Sequence, residues 1–246
     1  MRSDGRGPKG IRPVKFERHF QIHAEGSNLI EMGNTKVVCA VSMEDKVPQW
    51  MKGGGEGWVT AEYGMLPRAT HDRKPREVSR GRVEGRTAEI QRLIGRSLRS
   101  AVNMKALGER TLWVDADVIQ ADGGTRTASI TGSFVALVDA IRWMKREKII
   151  DGRASVIRSF VAAVSVGVVG KDFLLDLTYE EDSSAEVDLN VVMTDKGEII
   201  DVAGTGEKRP FTRAELDRML AVAWEGIEML FSKQRDALGL ANGDLP

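Results

Sequence analysis

The segment WVDADVIQADGGTR, residues 113–126, decides how this chain folds, together with the apolar sequence that follows it. Val114, Ala116 and Val118 alternate with the residues between them, which predicts a strand that enters the core. The pair Gly123-Gly124 permits a tight turn, because glycine adopts backbone dihedrals that other residues resist. Apolar residues at three- and four-residue spacing then predict a helix; they are Ile130, Phe134, Leu137, Val138, Ile141 and Met144.

The glycine turn has the outline of an anion-binding site. A helix that begins after glycines directs free N–H groups and the positive end of its dipole at one spot. Thr125, Arg126 and Thr127 add hydroxyls and a guanidinium there. Phosphate is the expected anion, although an ordinary strand-to-helix turn explains the same residues equally well. Neither GxxxxGK[ST] nor GxGxxG occurs, which excludes those two phosphate-binding fingerprints.

The charges are balanced over the chain but unevenly distributed. The formal net charge is zero, from 36 basic and 36 acidic residues. Residues 68–99 nevertheless hold ten Lys or Arg against four acids, and residues 176–188 hold six acids and no base. Because a charged ligand responds to local fields, the neutral total does not exclude a nucleic-acid partner.

Cysteine and hydropathy indicate the cellular environment. Cys39 is the single cysteine and lies in an apolar run, so a disulfide within the chain is excluded and a reducing cytosol fits. The longest apolar run, residues 160–169, is too short to span a bilayer, and the basic start of the chain lacks the apolar core of a signal peptide. We therefore expect a soluble, cytoplasmic protein with no membrane partner.

The remaining pattern predicts an α+β protein in which strand meanders alternate with helices. Strands are predicted over 14–22, 28–32, 36–43, 58–63, 160–169, 173–178, 185–193 and 199–203. Two more helices are predicted, one from Arg86 and one after the capping box at Thr212. The polar residues 68–85 are predicted to form a long exposed loop. We interpret residues 1–246 as one domain with a basic arm at 1–13 and a frayed tail at 240–246.

The acidic stretch offers ligands for a hard cation. Asp182 and Asp188 are six residues apart, and Asp188 falls among apolar strand residues, where an unpaired carboxylate is costly to bury. Carboxylates suit Mg²⁺, which takes oxygen ligands and retains several waters. A charged loop followed by a solvent-facing aspartate on an edge strand remains the alternative. The histidines and Cys39 form neither a zinc-binding pattern nor a nucleophile set.

Five motifs together resemble the ribonuclease PH family, the phosphate-dependent 3′ exoribonucleases related to polynucleotide phosphorylase and to exosome ring subunits. The motifs are RSDGR at 2–6, GGGEGWVTAEYGMLPR at 53–68, GRTAEIQRLIG at 85–95, DVIQADGGTRTASITG at 117–132 and residues 176–190. The resemblance covers nearly the whole chain and departs between residues 142 and 160 and after Ala237. It implies a duplicated fold like ribosomal protein S5 domain 2.

The resemblance also implies a role for each site residue. Arg86, Gly124, Thr125 and Arg126 would hold the attacking inorganic phosphate. Catalysis at the scissile phosphodiester would fall to Asp182 and Asp188, which would bind a divalent metal, Mg²⁺ or Mn²⁺. Arg68, Arg73 and Arg76 would contribute to the ring interface and contact the RNA backbone. The assembly would be a homohexamer, a trimer of dimers, acting on the tRNA 3′ end.

This chemistry agrees with the residues present. Inorganic phosphate is already anionic near neutral pH, with a second pKa of roughly 6, so its attack needs no strong protein base. The barrier is repulsion between two anions, which cations lower. Two alternatives remain open: a hydrolytic metal-dependent exoribonuclease that uses water, and a catalytically silent RNA-binding ring subunit.

Overall fold

The computed structural model describes residues 2–241 and 243–246, and the side chains of Val78 and Arg80 are outside the description. The first residue of the predicted arm and Asn242 of the predicted tail therefore lie outside the described residues. The strands are β1 (Val14–Arg18), β2 (Gly26–Met32), β3 (Thr35–Glu44), β4 (Trp58–Met65), β5 (Thr111–Gln120), β6 (Val161–Val169), β7 (Asp172–Leu175), β8 (Val187–Thr194) and β9 (Ile199–Thr205). The helices are α1 (Gly85–Ala101), α2 (Met104–Leu107), α3 (Thr125–Arg146), α4 (Tyr179–Ser184) and α5 (Arg213–Leu238).

Two sheets organise the described chain and confirm the α+β prediction. The first has the order β1-β2-β3-β5-β4, and only its β4–β5 pair is parallel. The second has the order β7-β6-β8-β9 and is antiparallel throughout. Each sheet is followed in the chain by a long helix, as the meander-then-helix pattern predicted.

Helix α3 lies at the centre of the molecule. It packs against β2 and β3 of the first sheet and against β6 of the second. Residues are buried around its whole circumference, which is typical of a helix enclosed by other elements. Two of its buried hydroxyls bond to nearby main chain: Thr131 exchanges hydrogen bonds with the backbone of Ala163 on β6, and Ser129 donates to a carbonyl one turn back. The glycine turn at the start of α3 is thereby fixed between both sheets.

Helices α1 and α5 cover the remaining edges of the core. The apolar face of α1 includes Ile90, Ile94 and Leu98 and packs against β4 and α3. The capping box predicted at Thr212 is present at the start of α5, which packs on β6 and β1. In the described residues, no helix has the length and apolar character needed to cross a membrane.

The structure corrects three local predictions. The strand predicted over 173–178 ends at Leu175, because Asp176 has a φ of 54°, outside the extended region. The acidic run, a charged loop in the alternative interpretation, forms α4, whose first turn is closed by a capping box between Thr178 and Glu181. Asp188 is not on an edge strand, because β8 pairs with both β6 and β9.

Candidate active site

The glycine turn before α3 presents free main-chain donors. Gly123 and Gly124 have φ values of 74° and 62°, in the left-handed region that glycine tolerates best. Between residues 2 and 241, no acceptor pairs with the N–H groups of Gly124, Thr125 or Arg126. The first N–H groups of a helix lack partners within the helix, so these donors are available to an anion.

A polar cavity of about 340 Å³ opens beside this turn. Two arginines, two aspartates and the glycine turn share its wall, although they come from four separate parts of the chain. The lining residues are Arg86, Gly124, Thr125, Arg126, Ser165, Asp182, Ser183, Ala185, Asp188, Asn190, Glu207 and Lys208. The cavity therefore contains all four predicted phosphate-binding residues and both predicted metal carboxylates.

Arg86 and Arg126 reach the cavity from the first turns of two different helices. Arg86 is the second residue of α1 and Arg126 the second of α3. Arg126 forms one long ion pair, 3.4 Å, with Glu89 of α1. No carboxylate among the described residues lies within ion-pair distance of Arg86, so both guanidinium groups can receive an anion together with the helix ends.

Asp182 is held at the opposite wall by the short helix α4. The Thr178 hydroxyl accepts a hydrogen bond from the Glu181 N–H, and the Glu181 carboxylate accepts one from the Thr178 N–H. Loss of hydration raises the pKa of the Asp182 carboxyl, and the nearby charges of Arg86 and Arg126 oppose that rise. The carboxylate therefore lies within electrostatic range of both arginines.

Asp188 carries a buried oxygen with no partner. Its Oδ2 accepts a hydrogen bond of 3.2 Å from the Asn190 amide, whereas Oδ1 is buried without any hydrogen bond in the described structure. Burial, followed by repulsion from Asp182, raises the pKa of Asp188 to about 6, against the partial opposing effect of Arg126. An unpaired buried carboxylate oxygen is unfavourable unless a cation or donor reaches it.

The two carboxylates fit a hard cation with an incomplete protein shell. The described residues contain no group of three or more His, Cys, Asp or Glu that could hold a metal ion. Mg²⁺ is commonly bound by one or two carboxylates while water and substrate oxygens supply the remaining ligands. The orphaned Oδ1 of Asp188, with Asp182 on the same cavity, matches that donor set.

Comparison with known families shows which family the chain belongs to. The family described as "3′ exoribonuclease family, domain 1" (RNase PH) matches residues 10–142, and its domain 2 matches residues 159–226. The chain belongs to the RNase PH family. In this family member the two matched regions carry one sheet each, and the cavity takes Arg86 and Arg126 from the first and Asp182 and Asp188 from the second.

Solved structures of exosome proteins share the RNase PH fold of this chain. Rice (Oryza sativa) Rrp46 is 18% identical with a TM-score of 0.77, covering 96% of this chain and all of its own. The Archaeoglobus fulgidus exosome with RNA bound to the active site gives 23% identity and a TM-score of 0.78, covering 94% and 92% of the two chains. An archaeal exosome core gives 22% and 0.75, covering 95% and 91%. At these identities the likeness establishes the fold.

The arginines predicted for the ring interface and RNA lie outside this cavity. Arg68, Arg73 and Arg76 are exposed on the loop that precedes α1, and no described carboxylate pairs with them. Arg68 lines a separate groove with Tyr179, and Arg76 lines another under the loop. The groove lined by Arg76 also includes Arg86 and so adjoins the candidate active site, whereas the groove lined by Arg68 shares no residue with it.

The sequence analysis assigns no role to two residues that the structure places at the candidate site. The buried Tyr63 hydroxyl donates to the Thr125 side chain over 3.0 Å. Lys208 lines the cavity and donates to the Ser184 carbonyl at the end of α4 over 2.6 Å. Nothing local distinguishes Lys208 from other charged loop residues, so only the folded chain identifies it.

Proposed function

We propose that this RNase PH family member is a phosphate-dependent 3′ exoribonuclease that removes terminal nucleotides from tRNA 3′ ends. The observation that carries the proposal is the convergence of Arg86, Arg126 and the free amides of the glycine turn on one cavity with Asp182 and Asp188. Such a cavity can hold two anions side by side, which is what attack of phosphate on a phosphodiester requires.

The proposed reaction is a transfer of the 3′-terminal nucleotide from RNA to phosphate. An oxygen of hydrogenphosphate attacks the terminal phosphodiester, and a new P–O–P linkage forms as the bond to O3′ of the penultimate nucleotide breaks. The attacking group loses a proton and the leaving O3′ gains one. The products are a nucleoside 5′-diphosphate and an RNA one nucleotide shorter.

The protein side chains position the reacting groups and neutralise their charge, and none of them acts as a nucleophile. Arg86, Arg126 and the amides of residues 124–126 would hold the attacking phosphate and reduce its repulsion from RNA. Asp182 and Asp188 would hold a divalent cation, Mg²⁺ or Mn²⁺, which when bound supplies positive charge at the phosphodiester. Tyr63 orients Thr125 beside the anion through the hydroxyl hydrogen bond.

Product analysis tests the proposal directly. The chain is incubated with a short 3′-hydroxyl RNA and Mg²⁺, with and without inorganic phosphate, and the released nucleotide is identified. We expect nucleoside diphosphates that appear only when phosphate is present. Monophosphates released without phosphate would favour the hydrolytic alternative, and no release under either condition would contradict the proposed activity and favour the catalytically silent alternative.

Substitution of Arg126 tests the assignment of the phosphate site. We expect Arg126→Ala to lose phosphorolysis by about a hundredfold or more, because a charge-assisted contact to the nucleophile disappears, while RNA binding is largely retained. Arg146→Ala is the matched control, since Arg146 lies on the same helix and forms a similar 3.4 Å ion pair far along it, with Glu147. Equal loss of RNA binding and turnover in Arg126→Ala would contradict the assigned role.

A further inference from the structure

The candidate active site depends on contact between two regions that are distant in the chain. The glycine turn at 122–124 leads into the free amides of residues 124–126, and the segment 175–181 leads into Asp182. The two regions touch directly: the Tyr179 N–H donates to Asp122 over 3.3 Å, and a Cβ on Gly123 would lie 2.5 Å from the Leu177 carbonyl oxygen. Any shift of one region against the other would change the spacing between phosphate and carboxylates.

Arg12, from the amino-terminal arm, binds both regions at once. Its Nε and Nη2 donate to the two carboxylate oxygens of Asp176 over 3.0 and 2.7 Å, and its own main-chain N–H donates to the same carboxylate over 2.7 Å. The guanidinium also donates to the carbonyl oxygens of Asp122 and Gly123. Arg12 is 4% exposed and Asp176 fully buried, so the pair is a built interior feature.

The contact with the Gly123 carbonyl bears on where the first of the three free amides, that of Gly124, points. The C=O of Asp122 shares a peptide with the N–H of Gly123, and the C=O of Gly123 shares one with the N–H of Gly124. In a planar trans peptide the two groups point in opposite directions, and no described peptide is cis. Because Arg12 holds the carbonyl oxygens on its own side, the N–H groups face away from it.

Thr35 reinforces the same orientation from β3. Its hydroxyl donates to the Gly123 carbonyl over 2.7 Å and accepts from the Asp122 N–H over 2.9 Å. Arg2 ties the other region, since its guanidinium donates to both carboxylate oxygens of Glu181 and to the carbonyls of Leu175 and Asp176. Arg2 and Arg12 of the predicted basic arm are therefore buried, and they hold the two regions of the site in contact.

We propose that Arg12, bound to Asp176, is a positioning residue for inorganic phosphate: it fixes the peptides of the glycine turn so that the Gly124 N–H, the first of the three free amides, faces the anion. This inference rests on the proposed function, because it names what orients the phosphate subsite of that reaction. Lysine cannot replace Arg12, because one ammonium group cannot bond the Asp176 carboxylate and two carbonyls in the geometry of a planar guanidinium.

The chain provides a matched control in a second ion pair. Arg18 donates through Nε and Nη2 to both oxygens of buried Asp139 and also to the Ala237 carbonyl. This pair has the same bidentate chemistry as Arg12 with Asp176, but it anchors the carboxyl end of α5 and contacts nothing at the glycine turn. Arg18→Lys therefore reports the cost of weakening such a pair without disturbing the phosphate subsite.

The test measures phosphate affinity apart from turnover. Equilibrium dialysis with radiolabelled inorganic phosphate, without RNA, compares the wild type with Arg12→Lys and Arg18→Lys. We expect Arg12→Lys to bind phosphate about tenfold or more weakly, and Arg18→Lys to bind as the wild type does. In turnover assays the half-saturating phosphate concentration of Arg12→Lys should rise while that for RNA stays unchanged.

Thr35→Val provides a milder variant that does not depend on the ion pair. It keeps the side-chain shape and removes the hydroxyl, so we expect weaker phosphate binding in the same direction even if Arg12→Lys does not fold. Any of three results would overturn the inference. Phosphate affinity could be unchanged in both Thr35→Val and folded Arg12→Lys, Arg18→Lys could lose as much affinity as Arg12→Lys, or the wild type could bind no phosphate. A wild type that binds phosphate but releases no diphosphate would refute the proposed function and leave this inference standing.

Discussion

Asp188 is the residue at which folding and the proposed chemistry oppose each other. Its buried Oδ1 has no hydrogen-bond partner, and its pKa is raised to about 6 by burial and by the neighbouring Asp182. An apolar or neutral side chain would fold at less cost. A cation bound at this site would pair with the carboxylate. Buried charged groups of this kind are a common source of local instability at functional sites.

Replacement of Asp188 should therefore stabilise the fold while abolishing activity. We expect Asp188→Asn to lose metal-dependent turnover and, at pH 7 without metal, to raise the free energy of unfolding by about 1–3 kcal/mol, the equivalent of the raised pKa. Urea denaturation and the product assay measure the two effects on one preparation. Full activity in this variant would remove Asp188 from the metal site.

The sign of the pH dependence follows from the same group. The pKa of Asp188 in the folded state is above the ordinary value of 3.8. The contribution of Asp188 to the free energy of unfolding is therefore most favourable below pH 3.8, and it is lost as the pH rises through about 6. Without metal, the stability advantage of Asp188→Asn should be small near pH 4 and complete by pH 7. A difference between the two proteins that is constant over this range would contradict the burial of the carboxylate.

At the scale of elements, the strand-turn-helix unit of β5 and α3 is the rigid part of the site. Helix α3 is enclosed by both sheets, so its amino terminus cannot move independently of the core. The turn is confined as well, because Gly123 lies against the main chain of residues 177–179. A side chain at this position would meet backbone rather than flexible atoms.

A pair of glycine substitutions separates backbone strain from this close approach. Gly123 and Gly170 both have positive φ, 74° and 62°, but a Cβ at Gly170 would have nothing within 4 Å. We expect Gly170→Ala to cost only the strain of the left-handed conformation, roughly 1 kcal/mol. Gly123→Ala should cost more and should also weaken phosphate binding, as measured by thermal unfolding and equilibrium dialysis. Equal effects at the two positions would show that the turn has room to adjust.

At the scale of the whole molecule, the basic loop at 68–82 carries exposed arginines, among them Arg68, Arg73 and Arg76, for which the described part of the chain offers no carboxylate. Such a loop is suited to another copy of the chain or to an RNA backbone. We expect a homohexamer in which this loop contributes to contacts between copies.

Sedimentation and RNA binding distinguish the two uses of the loop. If Arg73 lies between copies, Arg73→Gln should shift the assembly toward smaller species at equal protein concentration. If it contacts RNA, the assembly should persist and RNA affinity should fall with a reduced salt dependence. Arg153→Gln, at another exposed loop arginine, is the control. No change in either measurement would exclude Arg73 from both roles.

The sequence by itself determined the strands and the three long helices and indicated part of the candidate site. Apolar periodicity predicted β5 and α3, and the glycine pair predicted the turn between them. Because the first residues of a helix lie beside its free amides, the sequence also placed Arg126 there. Asp188 was predicted on a strand because its neighbours alternate. The capping box of α4 is present in the sequence at Thr178 and Glu181, but the six residues of the helix lack apolar periodicity, so the sequence left a charged loop open as the alternative.

Only the tertiary structure decided that these pieces meet. Arg86, Arg126, Asp182 and Asp188 share one cavity because α3 is packed between two sheets whose strands are far apart in the chain. The burial of Arg2 and Arg12 followed from the same packing, since their partners, Glu181 and Asp176, lie more than 160 residues away. Local sequence specifies local dihedrals, whereas pairing between distant segments depends on the burial and hydrogen bonding of the whole chain.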